Sequence, residues 1–264
     1  MRIRGILAAS AAIALLATAG CGDDSGDGAD TPQPSASARV TGEINVFAAA
    51  SLTGAFQRIG KDFEAANPGT TVTFNFAGSS LLATQINEGA PADVFASAAP
   101  ANMATVTDAG NGEGTPRIFV KNQLVIAVPK GNPKGVKGLS DLTKADVMVA
   151  LCAEQVPCGA AAKKALDAAG VTITPVTQEQ DVKQALSKVT LGEVDAALVY
   201  RTDAKAAADD VDGIEFPESA GAINEYPITV LKDAANKPGA QAFVDYVLSD
   251  KGEAVLTEAG FQAP

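Results

Sequence analysis

Histidine and tryptophan are both missing from this chain, and only three cysteines occur in its 264 residues. The lack of histidine removes Ser–His–Asp and Cys–His catalysis, and with them the commonest metal ligand. The cysteines form no CxxC pair, so a zinc site is disfavoured. No SxxK sequence offers a serine–lysine pair, and neither a P-loop nor a GxGxxG turn is present to cradle phosphates. Positive charge is scarce too: 20 Lys and Arg stand against 31 Asp and Glu, a net charge of −11. That balance composes no basic face for nucleic acid. It also means that the field of the whole chain repels anions, so any anion must be held by local dipoles. The acidic pairs Asp209–Asp210 and Glu253/Glu258 read as solvated charge. With no nucleophile–base motif left, the residues favour binding over catalysis.

Apolar residues make up 47% and charged ones 19%, a globular balance, and the length suits one large domain or two modest lobes. At the N-terminus, Arg2 and Arg4 precede an apolar run over 6–19 that is short for a bilayer span. Thr18-Ala19-Gly20-Cys21 follows and resembles the bacterial lipoprotein signal, with Thr18 where that signal usually has leucine. The expectation is a signal peptide over 1–20, a lipidated Cys21 and an exported chain anchored outside the cytoplasmic membrane. A simple cleaved signal is the alternative. Residues 21–42 are rich in Gly, Asp, Ser, Pro and Thr and read as a disordered tether. As a random coil it would reach about 25 Å. Outside the cytoplasm, Cys152 and Cys158 read as a disulfide. Two buried free thiols are the other reading.

Two segments hold most of the functional information: INVFAAASL at 44–52 and FNFAGSSLL at 74–82. Each reads as a buried strand running into a serine that opens a helix. A helix start offers unpaired N–H groups and partial positive charge, so two such junctions can cage an anion with neutral donors. The competing reading is that Ser51 and Ser79 only cap their own helices. Gly78, before Ser79, is expected to permit unusual backbone angles. Further along, Pro157–Cys158–Gly159 and Asp181–Val182 open helices of their own. Tyr200 ends an apolar strand, either as a rim aromatic or as a hydroxyl donor into a cleft.

The apolar periodicity predicts a β-α-β-α-β-α run over 44–109, β-rich runs at 117–120 and 123–128, and a second α/β series over 139–200. That series has a helix at 139–145, a strand at 147–151, a helix at 160–169, a strand at 171–176, a helix at 180–189 and a strand at 194–200. A helix at 202–208, β segments at 214–216 and 226–231 and a long helical stretch over 238–259 complete the pattern. The economical arrangement is an α/β chain in two lobes: 43–121 with 206–264, and 122–205. The chain would cross near Val120 and return after Tyr200, leaving a ligand cleft between hinged lobes.

In combination, VFAAASL at 46–52, FAGSS at 76–80, GAPADVF at 89–95, VPCG at 156–159 and LVY at 198–200 resemble the molybdate-binding proteins of bacterial ABC importers. The likeness runs from about Glu43 to Phe261. It implies a type II periplasmic-binding-protein fold, two mostly parallel α/β lobes joined by two crossover strands. It also implies a molybdate site made of Ser51, Ser79, Cys158, Val182 and Tyr200, with molybdenum held as the oxyanion. The serines would give hydroxyl and backbone N–H, Cys158 and Val182 backbone N–H, and Tyr200 its hydroxyl. Cys158 stands where the family commonly has alanine, and a disulfide to Cys152 would fix that loop. The implied partners are molybdate or tungstate, an ABC permease and the membrane, with no cofactor, no enzymatic activity and a monomeric state. A donor-only cage suits a dianion without a proton, whereas protonated phosphate would leave its O–H unpaired at about 1–3 kcal/mol. Sulfate passes the same test and is the alternative ligand.

Overall fold

A computed structural model describes residues 40–264 of the chain. The expected signal segment 1–20, Cys21 and the expected tether through residue 39 lie outside the described residues. In chain order the first elements are β1 (Gly42–Ala49), α1 (Thr53–Ala66), β2 (Thr70–Ala77), α2 (Ser79–Asn87), β3 (Val94–Ala96), α3 (Pro100–Asp108) and β4 (Gly112–Asn122). Next come β5 (Leu124–Pro129), β6 (Val149–Cys152), α4 (Pro157–Ala169), β7 (Thr177–Glu179), α5 (Val182–Thr190), β8 (Ala196–Tyr200), α6 (Arg201–Ala206) and β9 (Val211–Ile214). The last are β10 (Asn224–Leu231), α7 (Lys237–Val247) and α8 (Asp250–Ala259).

The strands form two five-stranded sheets, ordered β2-β1-β3-β10-β4 and β7-β6-β8-β5-β9. In the first, β2, β1 and β3 pair in parallel, and β10 runs antiparallel to both β3 and β4. In the second, β7, β6 and β8 pair in parallel, and β5 runs against β8 and β9. Each sheet thus has four strands in one direction and a single reversed strand in fourth place. That reversed strand is the first one laid down after the chain crosses over. Only Gln123 separates β4 in one sheet from β5 in the other.

The first lobe has an aromatic core. Leu52, just before α1, and Phe56, Ile59 and Phe63 along it recur at helical spacing and bury one face. Phe243 of α7 meets Phe56 and Phe63 edge-on, with ring centroids 6.1 and 5.5 Å apart. In the second lobe the core is aliphatic. β5 and β8 are apolar runs buried along their length, as expected of strands covered on both faces. Buried Ala161, Ala162 and Ala165 bring α4 close to this sheet. Within GAPADVF, Asp93 is buried for structural reasons: its carboxylate accepts the N–H of Asn45 at 2.7 Å and of Asn236 at 3.1 Å.

Several expectations need correction. The chain does not return after Tyr200: β9 pairs with β5, so 206–214 add to the second sheet and the return falls at 215–223. The strand expected over 171–176 is instead β7, a shorter piece at Thr177–Glu179. The helix expected over 139–145 is a 3-10 turn, Leu139–Thr143. The helical stretch expected over 238–259 is there as two helices, α7 and α8, parted at Leu248 and Ser249.

Candidate functional site

Ser51 and Ser79 stand at the carboxyl ends of two adjacent parallel strands. Ser51 lies in the 3-10 turn Ala50–Leu52 that links β1 to α1, and Ser79 is the first residue of α2. From the other lobe, Cys158 is the second residue of α4, Val182 the first of α5, and Tyr200 the last of β8. All five line one cavity of about 10 Å³, open to the centre of a water-sized sphere. Alanines 49, 50, 77 and 98 form its close walls. The five are all under 9% exposed, so the two lobes meet over this space.

Neither serine caps its own helix. No side-chain capping bond is present at the starts of the 3-10 turn, α1, α2 or α4, which leaves their first-turn N–H groups without side-chain partners. Ser79 Oγ instead accepts the Ala98 N–H at 2.9 Å, and Ser51 Oγ lies 2.9 Å from Tyr226 Oη. Asp181 also lines the cavity, but its carboxylate turns onto its own helix. It accepts from the N–H groups of Lys183 and Gln184 and from Gln184 Nε2, at 2.8 to 3.0 Å. The Val182 N–H, ahead of those capped positions, takes no bond from the Asp181 side chain.

Tyr200 is 1% exposed, and its hydroxyl, with Tyr226 and Asn224 as polar neighbours, has no partner of hydrogen-bonding geometry among the described residues. Burial pushes its phenol well above the ordinary value, with Tyr226 and Asp203 adding to the shift, so the group stays an O–H donor. Two cations adjoin site residues along the chain and both point elsewhere: Lys183 sits 3.0 Å from the fully buried Asp203 carboxylate, and Arg201 2.8 Å from Glu215. Burial raises Asp203 to about 6 against the pull of Lys183. No lysine or arginine lines the cavity. Among the described residues no cluster of three or more His, Cys, Asp or Glu could hold a metal ion. The arrangement is a small, donor-rich cavity between two lobes, and its one charged lining side chain, Asp181, is turned onto its own helix.

The family model for bacterial extracellular solute-binding proteins matches residues 44–262. The chain belongs to that family. Among its relatives, the molybdate-binding protein ModA of Mycobacterium tuberculosis is 44% identical over 239 residues, covering 90% of this chain and 92% of that one. The Escherichia coli protein of the same name is 34% identical over 230 residues, covering 83% and 89%. The periplasmic molybdate-binding protein of Azotobacter vinelandii superposes with a TM-score of 0.74, covering 84% of this chain and 99% of that one. At 21% identity, that likeness concerns the fold.

Two close approaches shape the cleft of this solute-binding protein. Gly78 has an ordinary φ of −59°, so the expected unusual backbone is not what selects glycine there. The reason is steric: a Cβ at Gly78 would lie 2.2 Å from the Gln180 carbonyl oxygen in the opposite lobe. A Cβ at Gly159 would lie 1.9 Å from the Ala153 carbonyl oxygen. That second approach packs the 153–156 loop tightly between β6 and α4, and the Cys152–Cys158 disulfide closes it. Tyr226 is the polar partner that the sequence did not announce. It reads as one more core aromatic in an apolar strand, and its hydroxyl meets a serine 175 residues away.

Proposed function

We propose that this solute-binding protein captures molybdate, and tungstate with it, between its lobes and delivers the ion to an ABC permease. The observation that carries this reading is the Tyr200 hydroxyl, buried in the cavity wall without a partner. A buried orphan donor costs about 1–3 kcal/mol. A ligand oxygen in the cavity relieves that cost. The hydroxyls of Ser51 and Ser79 and the N–H groups of Ser51, Ser79, Cys158 and Val182 supply the other donors. Local dipoles then hold the dianion against an unfavourable net charge.

The identity to molybdate-binding relatives over nine-tenths of the chain supports molybdate within the class of tetrahedral oxyanions. The backbone N–H groups can only donate and the Asp181 carboxylate is turned onto its own helix, which disfavours a protonated oxyanion such as phosphate. Cage size separates molybdate and tungstate from the smaller sulfate. No covalent chemistry is involved, and the Cys152–Cys158 disulfide serves to hold the Cys158 N–H in place. Cys21 would carry the lipid that anchors a monomeric body beside its permease. Calorimetric titration of the mature protein with molybdate, tungstate, sulfate and phosphate tests the reading. Molybdate and tungstate should bind far more tightly than sulfate, and phosphate should bind weakest. Preference for sulfate or phosphate would overturn it.

A further inference from the structure

The two serines differ in what stands behind them. Ser79 Oγ accepts from the Ala98 N–H, and an amide N–H can only donate, so the Ser79 proton is free for the cavity. Ser51 Oγ faces another hydroxyl, Tyr226 Oη at 2.9 Å, and either could donate. The residue that decides between them is Asn122, at the end of β4 beside the lobe crossing. Its Oδ1 accepts the Gln123 N–H at 3.0 Å, which fixes the orientation of the amide. Its Nδ2 therefore faces Thr202 Oγ1 at 2.9 Å and Tyr226 Oη at a longer 3.5 Å. Nδ2 has no lone pair to offer, so Tyr226 meets it as an acceptor. Tyr200 Oη also lies near Tyr226 Oη but outside hydrogen-bonding geometry, so the one proton of the phenol goes to Ser51, and the Ser51 proton goes to the cavity.

We infer that Tyr226, set by Asn122, is a specificity-determining positioning residue that fixes Ser51 as a donor. Tyr226 is fully buried and does not line the cavity; it acts through Ser51. The inference rests on the proposed function and adds how the cage favours a bare oxyanion over one that carries a proton. The directional chain Asn122 to Tyr226 to Ser51 keeps the serine from turning a lone pair toward a ligand O–H. Removing the phenol hydroxyl frees Ser51 to accept, and protonated oxyanions gain a partner.

The test measures the affinity ratio of molybdate to phosphate at pH 8, by calorimetry and competition, in wild type, Y226F and N122D. In Y226F the ratio should narrow by about tenfold, the value of one hydrogen bond to a charged group. In N122D the carboxylate accepts the Tyr226 proton and reverses the chain. Its added charge repels both dianions alike, so the ratio isolates the sense of the hydroxyl and should narrow in the same way. A double-mutant cycle supplies the second readout: Y226F should weaken molybdate binding by about threefold to tenfold alone, and add nothing to S51A. A ratio unchanged in both variants, or an additive cycle, overturns the positioning role while leaving molybdate capture standing. Failure of the wild type to bind molybdate overturns both.

Discussion

Replacing Tyr200 by phenylalanine should separate binding from stability in a way that few buried substitutions do. Tyr200 is 1% exposed and closes β8, where loss of a polar contact ordinarily destabilises the fold. Its hydroxyl, however, has no partner of hydrogen-bonding geometry among the described residues. Tyr200→Phe therefore removes no intramolecular bond and keeps the ring packed against Tyr226, 6.1 Å away between centroids. The ligand-free variant should melt at the wild-type temperature or slightly above it. Toward a dianion the same hydroxyl donates a charge-assisted bond worth about 1.5–3 kcal/mol, so Kd should rise about 10-fold to 150-fold. Calorimetry gives the affinity, and thermal melting with and without molybdate gives the stability. Because ligand stabilisation follows the logarithm of concentration over Kd, the molybdate-induced rise in Tm should shrink in step. Unchanged affinity, or a ligand-free variant clearly less stable than wild type, would refute the assignment of this hydroxyl to the ligand.

Three further outcomes follow from the same geometry. Gly78→Ala places a Cβ 2.2 Å from the Gln180 carbonyl in the opposite lobe. It should leave ligand-free melting unchanged and weaken molybdate binding by about 5-fold to 150-fold, since relieving the overlap costs about 1–3 kcal/mol; unaltered affinity would show that closure does not need this contact. Reducing the Cys152–Cys158 disulfide should cost about 2 kcal/mol of stability and lower affinity, because it frees the loop that presents the Cys158 N–H. Identical melts and titrations with and without reductant would remove that role. Asp203, raised to about 6 mainly by burial, should stabilise the fold below its unfolded value near 4 and lose that contribution as pH rises through 6. Denaturant unfolding from pH 4 to 7 should therefore show wild type losing up to about 3 kcal/mol relative to Asp203→Asn, and a constant difference between the two would contradict it.

The parts of the site that were legible in the sequence are those built from contiguous residues. A strand, small residues, a serine and a helix start occupy consecutive positions at 44–52 and 74–82, and their spacing alone sets the junction. The α1 face was readable for the same reason, because its apolar residues recur with the helical period. What escaped depends on pairing at a distance. β9 is four residues long and joins the second sheet through β5, about 80 residues earlier in the chain, so nothing local assigns it to a lobe. β7 is likewise short and follows an apolar stretch that looks more like a strand than it does. Gly78 drew attention for the wrong reason: its φ is unremarkable, and the constraint comes from a carbonyl about 100 residues away. Tyr226 and Asn122 show the same limit, since their partners are fixed only once β1, β4 and β10, far apart in the chain, are placed in one sheet.

A crystal grown with molybdate, measured at the molybdenum absorption edge, tests the central claim most directly. The account predicts one anomalous peak in the cavity between the lobes, its oxygens touched by the Ser51, Ser79 and Tyr200 hydroxyls and by the Cys158 and Val182 N–H groups. A peak elsewhere, or one neutralised by a lysine or arginine side chain, would contradict it.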